Sequence, residues 1–167
     1  MSKTITISDE TFEKLKDQLS EDKVSKKEEK KFEIKNRFTG EVIYTSSKIT
    51  YKDVLEEAVS KDAYLEDADL RGAYLRGAYL RDANLEGAYL GDAYLRGANL
   101  GGANLGGAYL GGAYLRGANL GDADLRGANL EDADFYHTKF YGKGGNTKIK
   151  KNQIDDFLKA LGVVVED

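Results

Sequence analysis

At 167 residues, the chain is long enough for one compact domain or for a repeat array with end structures. Because it has no cysteine, it offers neither a disulfide nor a thiolate metal site. Its formal net charge of -4 argues weakly against a general nucleic-acid binder, which is normally basic. The first residues, MSKTITISDE, lack the apolar core of a signal peptide, and no apolar run could span a membrane. We therefore expect a cytoplasmic protein without membrane contact.

Residues 1–30 are predicted to form an N-terminal helix and a charged linker. The helix is predicted from SDETFEKLKDQL (8–19), in which Ser8 is a suitable N-cap and the apolar residues share one face. The following stretch, SEDKVSKKEEKK (20–31), is too highly charged to bury a core, and its composition is typical of a linker.

Residues 31–62 are predicted to form a small α+β cap, made of a β-hairpin and a helix. KFEIKNRFTGEVIYTSS (31–47) alternates like two strands around a Thr-Gly turn. TYKDVLEEAV (50–59) has apolar residues at helical spacing, and Thr50 with Asp53 comes close to a capping box. The predicted helix leads directly into the repetitive part of the chain.

Residues 63–142 repeat with a period of five and hold 16 units. Alanine recurs at every fifth position from Ala63 to Ala133, and a large apolar residue follows two places later. A period of five gives no apolar face on an α-helix, and on one long strand it alternates between the two faces. A chain that bends once per unit avoids both problems, because each short segment then has its own apolar side. Alanine and leucine then point inward, and the residue between them points outward.

The two remaining residues of each unit are predicted to form a corner. Glycine fills the second corner position ten times and aspartate five times, and both tolerate turn geometry that bulkier residues resist. His137 fills it once. It is the only histidine in a chain without cysteine, so the sequence favours a turn residue there over a metal ligand or catalytic base.

The units ADLRG, ANLEG and ANLGG resemble the pentapeptide repeat, A-(D/N)-L-x-x. The resemblance implies a mainly β fold: a right-handed, four-sided β-helix with four units per coil, and so about four coils here. Residues 143–167 are then expected to be a C-terminal cap of loop, helix and short strand. Its helix is predicted from KNQIDDFLKALG (151–162) and its strand from VVV (163–165).

Four units per coil place residues that differ by 20 on one face. One interior column is predicted from Leu65, Leu85, Leu105 and Leu125, with Phe135 and Phe140 closing the last coil. The position between alanine and leucine, usually Asn or Asp in the family, is tyrosine seven times. Stacking by 20 therefore predicts outward ladders, which form a candidate interaction surface: Tyr74, Tyr94 and Tyr114 beside Arg76, Arg96 and Arg116, with the shorter pair Tyr89 and Tyr109 on another face.

The sequence favours a non-enzymatic structural or protein-interaction module whose partner protein it does not identify. It predicts no catalytic residue, cofactor, metal site or direct nucleic-acid contact, and it slightly favours a monomer over an end-to-end dimer. The alternative comes from the resemblance, because some family members mimic duplex DNA, bind DNA gyrase and confer quinolone resistance. The array carries 11 acidic and 7 basic residues, so its charge fits that alternative poorly. Natural and engineered origins both remain open.

Overall fold

The computed structural model describes residues 31–140, residue 147 and residues 154–160. The helix predicted at 8–19, nearly all of the linker and the strand predicted at 163–165 lie outside the described residues. Within the part of the chain that is described, no helix is long and apolar enough to cross a membrane.

The predicted hairpin is confirmed. Strand β1 spans Phe32–Lys35, and strand β2, Val42–Ser46, pairs with it in the antiparallel sense. In the turn between them, the Asn36 side-chain oxygen accepts hydrogen bonds from the backbone N–H groups of residues 38 and 39. Gly40 completes the turn with a positive φ of 71°, which glycine adopts without steric cost.

The predicted helix after the hairpin is also confirmed. Helix α1 spans Tyr51–Ser60 and begins after Thr50, whose hydroxyl oxygen accepts a hydrogen bond from the backbone N–H of Asp53 at 3.1 Å. This N-cap satisfies one of the donors that the first turn of a helix leaves unpaired. Val54 and Leu55 on its inner face are fully buried, so the helix packs against the same core as the repeats.

The repeats form coils of 20 residues, or four units each, which pair through parallel bridges. Tyr74 pairs with Tyr94, and Tyr94 pairs with Tyr114. Between the first two rungs, the N–H of Tyr94 donates to the carbonyl of Ala73, and the N–H of Leu75 donates to the carbonyl of Tyr94, both at 2.9 Å. The same pattern recurs on the other faces, so side chains 20 residues apart lie directly above one another.

Each corner is a four-residue turn closed by a backbone hydrogen bond. In one of them the N–H of Ala78 donates to the carbonyl of Leu75 at 3.1 Å, and Gly77 has a φ of 65°. A positive φ at the third residue is the pattern of a type II turn. The second corner position has a positive φ in every unit from Asp67 to His137, which confirms the predicted role of its glycines and aspartates.

The corner geometry can be tested at Gly107, which has a φ of +64° and no atom within 4 Å of where a Cβ would stand. Gly107→Asp introduces a residue that the array itself uses at this position, and we expect it to cost less than about 1 kcal/mol. Gly107→Val should cost about 1–2 kcal/mol more, because a β-branched residue resists the left-handed region. Urea denaturation measures both. Equal losses would show that backbone conformation does not select the corner residue.

Alanine and leucine side chains fill the inside of the coils. Leu65, Leu85, Leu105 and Leu125 are fully buried, Phe135 is 1% exposed, and Phe140 is partly buried against the same cluster. The cluster continues into the N-terminal part of the chain through Ile34 of β1 and the buried face of α1. A single core therefore connects the hairpin, α1 and the repeats.

Three hydrogen bonds, on two faces, join the hairpin and α1 to the open edge of the first coil. Next to β1, the N–H of Arg37 donates to the carbonyl of Asp67, and the N–H of Asp69 donates to the carbonyl of Lys35, both at 2.8 Å. On another face, the carboxylate of Glu56 in α1 accepts a hydrogen bond from the N–H of Tyr79 at 2.8 Å. These contacts satisfy backbone groups that a solenoid edge would otherwise expose.

The other end of the array meets helix α2, which spans Ile154–Ala160. The Phe157 ring of α2 lies 4.9 Å from the Phe140 ring and 5.9 Å from the Phe135 ring, measured between centroids. The hydroxyl oxygen of Thr147 lies 2.6 Å from the carbonyl oxygens of Leu120 and of Phe140, and its single proton can be donated to either of them. Part of the C-terminal segment thus contacts the last coil of its own chain. The remainder of the helix predicted at 151–162 lies outside the described residues.

Candidate interaction surface

Six side chains on one face of the array form what we call the tyrosine–arginine stripe. Its tyrosines occupy the outward position between alanine and leucine in three successive coils, and its arginines follow two residues later. Together with Asp134, they line a groove of about 540 Å³. The members of the stripe are Tyr74, Tyr94, Tyr114, Arg76, Arg96 and Arg116.

The three tyrosine rings stack face to face. The Tyr74 and Tyr94 centroids are 4.6 Å apart with parallel planes, and the Tyr94 and Tyr114 centroids are 4.9 Å apart at 10°. Tyr74 remains 70% exposed, whereas Tyr94 between its neighbours is 40% exposed. Aromatic pairs of this kind contribute about 0.5–1.5 kcal/mol each beyond the area that they bury. The ladder therefore stabilises the array and still presents ring edges to solvent.

Tyrosine at the outward position replaces a hydrogen bond that Asn and Asp make there. The Asn104 side-chain oxygen accepts from the N–H of Gly106 at 3.0 Å, and Asp134 accepts from the N–H of Tyr136 at the same distance. This contact to the residue two places on holds the corner, as an Asx turn does. A phenol cannot make it, so each tyrosine of the stripe exchanges a local hydrogen bond for ring stacking.

Arginines at the first corner position pair with carboxylates in three ways, the first of which occurs twice. Arg71 pairs with Asp69, two residues earlier in the same unit, through a hydrogen bond that lowers the pKa of Asp69. Arg116 pairs with Asp134, the outward residue of the next coil and 18 positions later. Two further pairs follow the first pattern or use the adjacent residue: Arg126 with Asp124, and Arg81 with Asp82.

Arg76 and Arg96 fit none of these three patterns. The residues two places before them are Tyr74 and Tyr94, those 18 places after them are Tyr94 and Tyr114, and glycine follows each arginine directly. Among the described residues, no carboxylate lies within ion-pair distance of either guanidinium. Within the described part of the chain, the stripe therefore carries two adjacent cations without counter-charges, a feature that was not predicted from the sequence. Aligning each corner residue with the outward residue of the next coil would have revealed it.

The second predicted tyrosine pair adopts a different geometry. The Tyr89 and Tyr109 rings meet edge to face at 87°, and both side chains are half-buried. Tyr109 lies so close over Gly111 that a Cβ there would meet its ring at 2.7 Å, and Gly91 is similarly covered. Glycine two residues after the tyrosine lets the ring fold back over the corner. Arginine at that position in the stripe prevents this, so the two ladders differ in exposure.

The remaining outward tyrosines and the single histidine form no comparable cluster among the described residues. Tyr64 and Tyr79 are exposed without an aromatic neighbour among the described residues. His137 occupies the second corner position with a φ of 57°, and its ring contacts Tyr136. In residues 31–140 and the short described stretches after them, no group of acidic, histidine or cysteine side chains could hold a metal ion. The stripe is therefore the candidate site with the most distinctive geometry.

The stacking also has a consequence for titration. The Tyr74 phenol, then that of Tyr114, raises the pKa of Tyr94 above its ordinary value of 10.0. A raised pKa means that the folded chain holds this proton more tightly than the unfolded chain does. The stabilisation is therefore complete below pH 10, and it is lost as the pH rises through the raised pKa.

NMR of isotope-labelled tyrosine should show the Tyr94 phenol ionising at a higher pH than a tyrosine in a short peptide. Tyr74→Phe and Tyr114→Phe should each bring its titration back toward the ordinary value, whereas Tyr64→Phe, away from the stack, should not. If Tyr94 titrates like the peptide, its ring is not held between its two neighbours.

A family model for pentapeptide repeats matches residues 61–97, 88–110, 93–132 and 108–142. The structure is similar to that of Rfr23, a pentapeptide repeat protein from the cyanobacterium Cyanothece 51142. The two are 38% identical, with a TM-score of 0.50 over 55% of this chain and 59% of that one. A pentapeptide repeat protein from the thylakoid lumen of Arabidopsis thaliana is 35% identical, with a TM-score of 0.42 over 48% of this chain and 61% of that one.

The chain thus spans about three-fifths of the length of both proteins. QnrB1, a plasmid-mediated fluoroquinolone resistance protein, is 19% identical, with a TM-score of 0.23 over 61% of this chain and 70% of that one. A likeness this distant carries no argument about function. No match was found among curated proteins. The family model and the likeness to Rfr23 agree with the five-residue units and the parallel coils. The described repeats, residues 63–140, thus form a right-handed β-helix, and residues 61–142 match the pentapeptide repeat family.

Proposed function

We propose that this chain is a non-enzymatic protein-interaction module, in which the β-helix holds the tyrosine–arginine stripe in a fixed geometry. The observation that carries the proposal is the combination of stacked, exposed tyrosines with arginines along one groove. Tyrosine and arginine are the residues most enriched at energetically important positions of protein interfaces, together with tryptophan. The stacked rings are already ordered, so a partner would lose little side-chain entropy on docking against them.

The proposed module has about four coils and a cap at each end. The hairpin and α1 cap the first coil, since their backbone and side-chain groups pair with its open edge. Helix α2 caps the last coil, where Phe157 covers Phe135 and Phe140. In this arrangement the core of one chain is covered by the same chain, which favours a monomer. We place the module in the cytoplasm, with a protein rather than a membrane or a nucleic acid as its partner.

The proposal is tested by comparing which proteins two tyrosine variants capture from a lysate of the host. Tyr74→Asn, Tyr94→Asn and Tyr114→Asn together remove the ladder but restore the Asx hydrogen bonds, so the fold should be retained. The control is Tyr64→Asn with Tyr79→Asn, which removes exposed tyrosines that do not stack. We expect a partner that the wild type and the control capture and the ladder variant loses. Equal capture by a folded ladder variant would contradict the proposal.

Gyrase binding by DNA mimicry remains the alternative, and the charge distribution ranks it second. A mimic of duplex DNA needs an anionic surface, because the duplex it replaces is densely negative. Here six arginines are spread over the array, and two of them, on the stripe, have no carboxylate partner among the described residues. We expect the purified protein to leave gyrase supercoiling unchanged. Potent inhibition of supercoiling, or protection of gyrase from quinolones, would reverse the ranking.

A further inference from the structure

We propose that the stripe binds an acidic segment of a partner protein, and that Arg76 and Arg96 hold two of its carboxylates. The inference rests on the proposed function and adds the chemistry of the partner. It concerns the first two rungs of the stripe, where the arginines pair with no carboxylate of the described residues and Tyr74 is the most exposed tyrosine of the ladder.

The pairing rules of the array leave these two arginines available. Every other arginine of the array makes an ion pair with a carboxylate of the chain: Arg71, Arg81, Arg116 and Arg126. The array neutralises its other first-corner arginines from three positions, and at Arg76 and Arg96 these positions hold tyrosine twice and glycine once. No rotamer change therefore supplies a carboxylate from those positions. Their backbones are one rung, about 4.8 Å, apart. Two like charges at this spacing repel, and an anion placed between them relieves that repulsion.

The chain itself shows how a carboxylate fits this groove. Asp134 occupies the rung directly after Tyr114, in the same vertical file, and accepts a hydrogen bond from Nε of Arg116. The Arg116 guanidinium also lies 5.2 Å from the Tyr136 ring centroid. A carboxylate from a partner that lies along the outer edges of Tyr114 and Tyr94 would meet Arg96 and Arg76 in the same manner. Pairs between guanidinium and carboxylate are stronger than neutral hydrogen bonds.

The tyrosine side of the groove indicates which residues lie between the acidic residues of the partner segment. The tyrosine edges are largely apolar, so they fit an apolar or aromatic side chain between two carboxylates. Single-stranded nucleic acid, which also presents anions and rings, fits less well because its bases need free aromatic faces. Both faces of Tyr94 are occupied by its neighbours. An acidic segment with interleaved aromatic residues is therefore the favoured occupant.

Three short peptides test the proposal: Ac-Glu-Trp-Glu-Trp-Glu-amide, its Gln counterpart and its Lys counterpart. The protein has no tryptophan, so tryptophan anisotropy reports the peptide alone. Because the chain has a net charge of -4, general attraction would favour the Lys peptide. We expect the Glu peptide to bind about tenfold or more tightly than the Gln peptide, since two charge-assisted contacts are made. Equal binding of the Glu and Gln peptides, or preference for the Lys peptide, would overturn the proposal.

Matched variants locate the binding. Arg76→Glu with Arg96→Glu should lower affinity for the Glu peptide at least about tenfold. Arg81→Glu with Arg126→Glu makes the same change in net charge on two other faces and should change it less than about twofold. Both double variants must keep the wild-type circular dichroism spectrum and urea midpoint within error. If a variant does not fold, Arg76→Gln with Arg96→Gln replaces it. If both double variants lose the same affinity for the Glu peptide, the loss comes from the change in net charge and not from Arg76 and Arg96. That result would contradict the proposal.

Two outcomes separate this inference from the proposed function. If the Lys peptide or oligothymidylate binds at the stripe and the Glu peptide does not, the acidic partner is wrong but the stripe remains an interaction surface. If the ladder variant also retains every protein that the wild type captures, the interaction module itself is wrong.

Discussion

Leu105→Lys is expected to unfold the array. Leu105 is fully buried, with Leu85 directly above it and Leu125 directly below it in the same column. A lysine there would place an ammonium group among alanine and leucine side chains, with no acceptor or counter-charge in the interior. We expect the free energy of unfolding to fall by about 4 kcal/mol or more, since the substitution both removes packing and buries a charge. Urea denaturation followed by circular dichroism measures the loss.

The neighbouring substitution Asn104→Lys is the control. Asn104 lies on the outer surface, where it accepts from the N–H of Gly106 and donates to the Glu86 carboxylate, both at 3.0 Å. Lysine loses the first hydrogen bond, worth about 1 kcal/mol, but it can still reach Glu86 as an ion pair. The two substitutions introduce the same side chain one residue apart. If both substitutions lower the free energy of unfolding by similar amounts, the assignment of Leu105 as inward and Asn104 as outward is wrong.

The five-residue repeat allowed the interior of the fold to be predicted because burial and turn formation are settled within each unit. Alanine and leucine lie two residues apart, so a short extended segment places both on one side. The corner needs a residue that tolerates a positive φ, and glycine or aspartate supplies it at Gly77 and Asp82 alike. Neither property depends on distant parts of the chain. Sequence reasoning therefore placed Leu105 inside and Asn104 outside.

The candidate surface could be predicted only in part, because it depends on contacts between coils. Stacking by 20 brought Tyr74, Tyr94 and Tyr114 into one file, as the structure has them. It did not show that a corner side chain meets the outward side chain of the next coil, 18 residues on. That offset also produces the hydrogen bond from Asn84 to Glu66 at 2.7 Å. Without it, neither the pairing of Arg116 nor the lack of partners for Arg76 and Arg96 among the described residues could be predicted.

Long-range features at the ends of the array were likewise not predictable. Glu56 meets the N–H of Tyr79 across 23 residues, and only the docked position of α1 brings them together. The hairpin and α1 were predicted from local signals, namely alternation around the turn and the Thr50 cap. How these elements dock on the first coil depends on the three-dimensional shape of the exposed end of the core, which local sequence signals do not predict.

Phe135→Ala is expected to be the second severe substitution. Phe135 is 1% exposed, and its ring centroid lies 5.4 Å from that of Phe140 and 5.9 Å from that of Phe157. It occupies an inward position that leucine fills in earlier coils, and here it also carries the contact with α2. Removing the ring should lower the free energy of unfolding by about 3–5 kcal/mol, because it leaves a cavity and removes one of the two aromatic contacts with α2. Guanidinium denaturation measures the loss.

Phe157→Ala decides whether α2 covers its own chain or a second copy. The Phe157 side chain is partly buried, so we expect a smaller loss than at Phe135, about 1–2 kcal/mol. If α2 caps its own coil, the unfolding midpoints of the wild type and of Phe157→Ala do not depend on protein concentration, and light scattering gives a monomer for the wild type. If α2 instead joins two copies, the wild-type midpoint rises with concentration, because association stabilises the folded state by mass action. Phe157→Ala would then abolish that rise and give a folded monomer, which would contradict the capping role of α2.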